Sequence, residues 1–433
     1  MLESILNPSI PVYNFVSVFI SALHASDGRR WIAADLSRTD RFLDSAETGA
    51  SSLDEVAGTC EDAVLFLEET LLGAFNESLE TLWKDIPEND STLMVLLPRR
   101  IAPEVDPHYG DAATSFLCSP AVFSAFLALK VDCWVQSNLF VLLRAVTDGS
   151  IHIDRLLVRQ LPETKHRTPR DCGTPKALLM PHRGDPRHLR TALDYLFRTA
   201  GNSMSVGVGL DVEEASDYGS FVKEYREVKF FQSHPAPVGP YVIRQELAER
   251  SSEPLICLQD SDDISCHDRF TVLSDALAET GCGIVGSHEL CLDEIRVMVY
   301  PVRFPIDSSA SLSMCPNHAL LHATLMARRS VFFECGGLST DQVIANDTQF
   351  LLRAFFKTSI RNVDEFLYVR RRHPASLTNA PETVHDNPLR RALNERWTTD
   401  FEAIKRGELM IENSWLRPMR RREAFRMNRL TAC

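Results

Sequence analysis

Residues 255–265 read LICLQDSDDIS. An apolar run stops on three carboxylates, Asp260, Asp262 and Asp263, and a helix-like pattern follows. A short apolar run bounded this way reads as a buried strand, and strands alternating with helices predict a largely parallel α/β sheet covered on both faces. Ligands of such sheets bind beyond the carboxyl ends of the strands. Asp260 would lie at that edge, and so would Asp211, which closes the strand-like VGVGLD. Clustered carboxylates repel one another unless they share a cation or a donor. Mg²⁺ or Mn²⁺ suits the purpose, because these ions take few protein ligands and complete their shell with substrate phosphates. The plainer alternative is a solvated acidic loop capping the next helix. An EF-hand is excluded, since DSDDISCHDRFT lacks its glycine and closing glutamate.

The chain has 433 residues, long enough for two cores. Its 44% hydrophobic and 24% charged residues are ordinary for a folded protein. A net charge of -13 argues against a nucleic-acid partner, which requires a basic face. Eleven cysteines without a CxxC pair suit reduced thiols. The start, MLESILNPSIPVYNF, lacks the basic and apolar regions of a signal peptide. The longest apolar stretch, VFSAFLALKVDCWVQSNLFVLL, is broken by Lys130 and Asp132. A cytoplasmic location is expected.

The chain repeats its own pattern. VLFLEETLLGAFNESLETLWKDI (64–86) sits over LICLQDSDDISCHDRFTVLSDAL (255–277). LMVLLPRR then resembles VMVYPVRF, and FLCSPAVFSAFLALKVDCW sits near SMCPNHALLHATLMARRSVFF. SNLFVLLRAV matches NDTQFLLRAF, and IDRLLVRQLP matches VDEFLYVRRRHP. Five matches in one order point to duplication. Residues 8–36 are read as strand (PSIPVY), helix (NFVSVFISALHA), strand (RRWIAADL), like KALLMP, PRHLRTALDYLFRTA and MSVGVGLD. The first copy carries Glu69, Thr70, Leu71 and Leu72 where the second has Asp260, Ser261, Asp262 and Asp263, and Asn138 where it has Asp347. Leucine binds no metal and an amide is a poor base. The expected organisation is therefore a non-catalytic domain (1–163), a linker (164–175), a catalytic domain (176–380) and a helical basic tail (381–433).

The second copy resembles glycosyltransferase family 2, an inverting group with the GT-A fold. The motifs run in register over residues 176–380: LLMPHRGDPRHLRTALDYL, VGVGLDVEE, GPYVIRQELAE, LICLQDSDD, HATLMARRSVFFECGGL, NDTQFLLR and FLYVRRRHPASLT. The resemblance implies two tandem GT-A-like domains and a sugar moved from a nucleotide-diphosphate donor to a hydroxyl of a saccharide or glycolipid acceptor. It also assigns residues. Pro181, His182, Arg183 and Asp211 would meet the nucleotide, and Arg244 the diphosphate or the loop. Asp260 would contact ribose or metal, Asp262 would ligate the metal, Asp263 would order the loop, Asp347 would be the general base, and His373 would approach metal or diphosphate. The family's Pro-x-Tyr-Asn turn is PHRG here, while IPVYN occurs at 10–14. Asn346 replaces the common acidic residue before Asp347.

His318 and His322 are spaced i, i+4 on an expected helix. His322 is read as lining the sugar, and His318 as a surface or core residue. Gly336-Gly337 is read as a tight turn. The arginine-rich NSWLRPMRRREAFRMNRL either docks on the acidic body of the protein or contacts an anionic membrane. Two other functions are weighed. A nucleotidyltransferase would need a Gly-rich basic loop after the first strand, and PHRGDP is not one. A binding scaffold would not need Asp260, Asp262 and Asp347.

Overall fold

The computed structural model describes residues 90–431 apart from 101–102, 111, 114–115, 130–137, 162–172, 200–203, 343, 380–386 and 422. Upstream of residue 90 it describes three strands only: β1 (Phe19–His24), β2 (Arg30–Asp35) and β3 (Ala63–Leu67). The IPVYN turn, the Glu69–Leu72 stretch and most of the linker lie outside the described residues.

These strands join β4 (Thr92–Pro98), β6 (Phe116–Cys118) and β7 (Arg155–Leu161) in a six-stranded sheet of order β1-β2-β3-β6-β4-β7. The two-residue β5 (His108–Tyr109) leaves this sheet and joins the second. The second sheet contains β8 (Lys176–His182), β9 (Met204–Leu210), β10 (Val228–His234), β11 (Leu255–Leu258), β12 (Ile264–Ser265), β13 (Ile284–Asp293), β14 (Met298–Arg303), β15 (Met326–Arg328), β16 (Ile360–Arg372) and β17 (Arg426–Arg429). Its order is β12-β16-β13-β15-β11-β8-β9-β10-β17, with β14 on β13 and β5 on β14. The α/β class is as expected, although the sheet is mixed.

The two sheets share a topology. In β2-β3-β6-β4-β7 neighbours run parallel, antiparallel, antiparallel, parallel. In β8-β11-β15-β13-β16 they do the same. Four of the five sequence matches fall on corresponding elements. The fifth does not: LMVLLPRR occupies the place of β13, not that of VMVYPVRF, because β14 is the return arm of a hairpin on β13. Both are short continuous apolar runs, so pattern alone could not separate them.

Three other expectations are corrected. Residues 19–24 form a strand inside the expected helix; Phe19-Ile20 and the preceding valines favour extended chain. The expected helix at His318–His322 is a loop ending in a 3₁₀ turn, His322–Thr324, flanked by Leu321 and Leu325 in extended backbone. In the tail, Pro388–Lys405 is helical, but the basic end is β17, an edge strand antiparallel to β10. RMNR buries Met427 and leaves Arg426, Asn428 and Arg429 exposed, as a charged edge strand does. A Cβ on Gly209 would collide with Ile243 and meet Met427 Cε at 3.3 Å, so the glycine makes room for both.

Helices Pro186–Thr199 and Arg269–Thr280 pack on one face of the second sheet, around Leu193, Phe230, Leu273 and Leu367. Helices Pro240–Glu249, Asn346–Phe355 and Pro388–Lys405 pack around Ile243, Phe350, Trp397 and Phe401. A third core, with Leu93, Phe116, Leu142 and Val146 from the first unit and Tyr195, Ile264 and Val369 from the second, joins the two. Ion pairs Arg159–Asp268 (2.8 Å) and Arg99–Asp364 (3.0 Å) flank it. Among the described residues no helix is long and apolar enough to cross a membrane.

Candidate active site

Six strands of the second sheet, β8, β9, β10, β11, β13 and β16, point the same way. Their carboxyl ends gather Asp211, the Asp260–Asp263 loop and His373 at one edge. Within that loop each carboxylate has its own partner. Asp260 pairs with Arg244, which reaches it from helix Pro240–Glu249. Asp262 Oδ2 lies 3.0 Å from His373 Nε2. Asp263 is buried, and its Oδ1 accepts from the Arg371 amide at 2.7 Å.

These environments drive the three carboxyls apart. Burial, together with Asp262 and Asp260, pushes Asp263 well above the usual range. Burial also raises Asp260, against the pull of Arg244 and with Asp262 adding to the rise. At Asp262 burial acts upward too, but the hydrogen bond and charge of His373 outweigh it and the net shift is down. The side chains of Asp260 and Asp262 remain 40% and 29% exposed, open to a ligand. Among the described residues no group of three or more His, Cys, Asp or Glu is placed to hold a metal ion. Two exposed carboxylates in a repulsive cluster nevertheless suit an ion that draws its remaining ligands from phosphate and water.

Asp347 lies in the first turn of helix Asn346–Phe355. Tyr241 lies close enough to feel its charge, and His318 Nδ1 lies 3.8 Å from its Oδ2. Burial pushes the Asp347 carboxyl up, but His318, His322, the Thr348 amide and Arg390 outweigh it and bring it down to about 2. His322 is enclosed, its ring stacked between those of Tyr241 (5.9 Å) and Phe350 (6.4 Å), and neither ring nitrogen has a hydrogen-bond partner among the described residues. Burial, with Arg244 beside it, lowers its pKa to about 3, so it is neutral. Tyr241 and Arg244 stand one turn apart on a single helix. That turn ties Asp347 to Asp260.

Other expected residues lie deeper. His182 is buried, with Nδ1 2.8 Å from Ser261 Oγ and Nε2 2.9 Å from Tyr218 Oη. It therefore braces the DSDD loop from beneath and does not face the cleft. Pro181 is buried beside it, while Arg183 is exposed. Asp211 accepts three hydrogen bonds, from Ser233 Oγ, the Val238 amide and the Gly239 amide, each at 2.8 Å. It shapes the loop leading into helix Pro240–Glu249. Sequence reading missed Tyr241, His188 and Tyr218. His188 packs on the His373 ring at 5.4 Å. All three sit in amphipathic patterns that carry no mark of a site.

No family model matches the chain, and no curated protein matches it in sequence. Solved structures of S. aureus TarS share some of its shape. The 1–349 portion in complex with UDP-GlcNAc is 11% identical over 53% of this chain and 73% of that one, with a TM-score of 0.41. The same portion with UDP is 13% identical over 55% and 74%, with a TM-score of 0.39. A third TarS structure is 14% identical over 53% and 43%, with a TM-score of 0.40. Similarity at this level carries nothing about chemistry, which rests on the residues.

Proposed function

We propose that this protein is a metal-dependent, inverting glycosyltransferase of the family 2 type, moving a sugar from a nucleotide-diphosphate donor to a hydroxyl acceptor. The observation that carries the reading is the single turn from Tyr241 to Arg244. It sets an ionised carboxylate, Asp347, across from a separate cluster of exposed carboxylates. Acid-base work and diphosphate binding need groups in different environments. Asp262 and Asp260 would hold the divalent ion, with the diphosphate and water completing its shell and His373 beside Asp262. A cation there supplies positive charge for the departing diphosphate. Arg244 would adjust between Asp260 and the diphosphate, and Arg183, exposed after β8, is free to meet the donor. His182 and Asp211 would act through the loops they brace.

The acceptor hydroxyl forms its bond to the anomeric carbon while the bond to the diphosphate oxygen breaks, and the electron pair leaves with the diphosphate. The hydroxyl proton passes to Asp347. A base with a pKa near 2 takes that proton only once bond formation has made the hydroxyl acidic, so proton transfer runs late. Attack from the side opposite the leaving group inverts the anomeric centre. The first unit would descend from the same ancestor by duplication and serve as a non-catalytic domain.

Calorimetric titration of UDP, GDP, dTDP and CDP, each with Mn²⁺, Mg²⁺ or EDTA, tests this reading. One nucleotide should bind, and only with metal. Asp262→Ala should abolish that binding. Asp347→Asn should keep it, while hydrolysis of the matching nucleotide sugar, with water as acceptor, falls by about 10²–10⁴-fold. Binding that ignores EDTA, or no binding by any of the four, would sink the proposal.

A further inference from the structure

The first unit sends one segment, residues 103–110, across onto the second sheet. Asn317 Nδ2 donates to Val105 O at 2.9 Å and to Asp106 Oδ1 at 2.7 Å, and Ser311 Oγ donates to Val105 O at 2.7 Å. Asn317 is next to His318, which faces Asp347. At its other end the segment forms β5, with Tyr109 opposite Val302. The Gly110 amide then donates to Pro301 O at 2.9 Å, and a Cβ on Gly110 would stand 2.6 Å from the proline ring. The segment is therefore pinned at both ends, next to His318 at one and on β14 at the other.

Tyr109 is the exception to this anchoring, being 64% exposed. Its ring lies 6.3 Å from that of Tyr300, within the field of Arg370 and Glu289. Arg370 Nε donates to Glu289 at 2.8 Å, and its charge also reaches Asp260. An exposed aromatic face thus stands beside the guanidinium of Arg370, whose Glu289 partner is buried and whose charge reaches the DSDD loop, with exposed Glu104 and Asp106 on the same segment. An aromatic face carries negative potential and attracts the polarised C–H groups of a pyranose, while flanking charged groups bond its hydroxyls.

We infer that residues 104–109 form an acceptor subsite for a saccharide, with Tyr109 as the platform for one sugar ring. The inference rests on the glycosyltransferase reading and gives the first unit a role in it. Tyr109 binds and positions the acceptor and takes no part in bond making.

Saturation-transfer NMR on the full chain, with maltotriose, cellotriose, chitotriose and mannotriose as probes, tests the inference. At least one trisaccharide should receive transfer. Tyr109→Ala should weaken its binding about tenfold or more, and Tyr109→Phe should retain it, because the ring is needed and the hydroxyl is not. Metal-dependent nucleotide binding should be unchanged in both variants. Failure of all four sugars to bind, or binding indifferent to Tyr109→Ala, overturns the subsite and leaves the nucleotide result standing. Loss of nucleotide binding in the unmodified protein overturns the wider reading instead.

Discussion

His182 and His322 place the same side chain in two enclosed sites, and burial keeps both neutral. His182 falls to about 4, with Asp262 and Asp185 pulling upward and His188 downward. His322 falls to about 3, with Arg244 and His318 pulling downward and Asp347 upward. Each binds a proton near pH 6.5 once unfolded. The unfolded state therefore takes up more protons as pH falls below that value. Stability from these groups is complete above pH 6.5 and is lost from there toward pH 4 and below, at about 1.4 kcal/mol per pH unit for each. Urea midpoints measured from pH 7 to 4.5 should show the decline. His182→Gln and His322→Gln should each flatten the slope by about that amount. A slope untouched by either change would mean that the ring is already charged in the folded protein.

Helix Asn346–Phe355 does more than carry Asp347. Its last turn holds Arg353, buried and donating to Cys335 O, Gly337 O and, at 2.7 Å, Leu416 O. Gln349 donates to Trp415 O at 2.8 Å. One helix thus fixes the Gly336-Gly337 turn, where both glycines have positive φ, and the start of the tail. The tail's apolar residues are committed to the body: Leu416 and Met427 are buried, though Trp415 is 46% exposed. Arg353→Met keeps the volume but strands three carbonyls. It should cost on the order of 3 kcal/mol and make residues 406–421 cleavable by protease before the sheet unfolds. A melting temperature and digestion pattern like those of the parent chain would show that the tail is held by its own apolar contacts.

At the scale of the molecule the two units share a core, in which Leu142 and Val146 pack with Ile264 and Val369. Separating the units would expose both sides of it. Residues 173–433 expressed alone should therefore be aggregated or molten, with weak near-ultraviolet dichroism, despite containing every residue proposed for catalysis. A monomeric fragment with cooperative unfolding and intact nucleotide binding would show that the first unit is dispensable to the fold.

The local pattern alone determined the strands β8, β9 and β11, the helix Pro186–Thr199, and the placing of Asp211 and Asp260 at strand ends, while the approach of His373 to Asp262 was implied only by the family resemblance. Strand-end carboxylates have their location set by the direction of parallel strands, and apolar runs report that direction. The likeness of the two sheets was legible for the same reason, since each buries apolar strands. Tertiary structure decided the rest. Histidine reads alike whether it faces a cleft or, like His182, the underside of a loop. A tyrosine at a helical core position, like Tyr241, is marked as functional only by the carboxylate that packs against it. RMNR became a strand because β10 had an open edge. Tyr109 reaches the second sheet through pairing with residues almost two hundred positions away. Such contacts depend on which surfaces are brought together, and no short window of sequence records that.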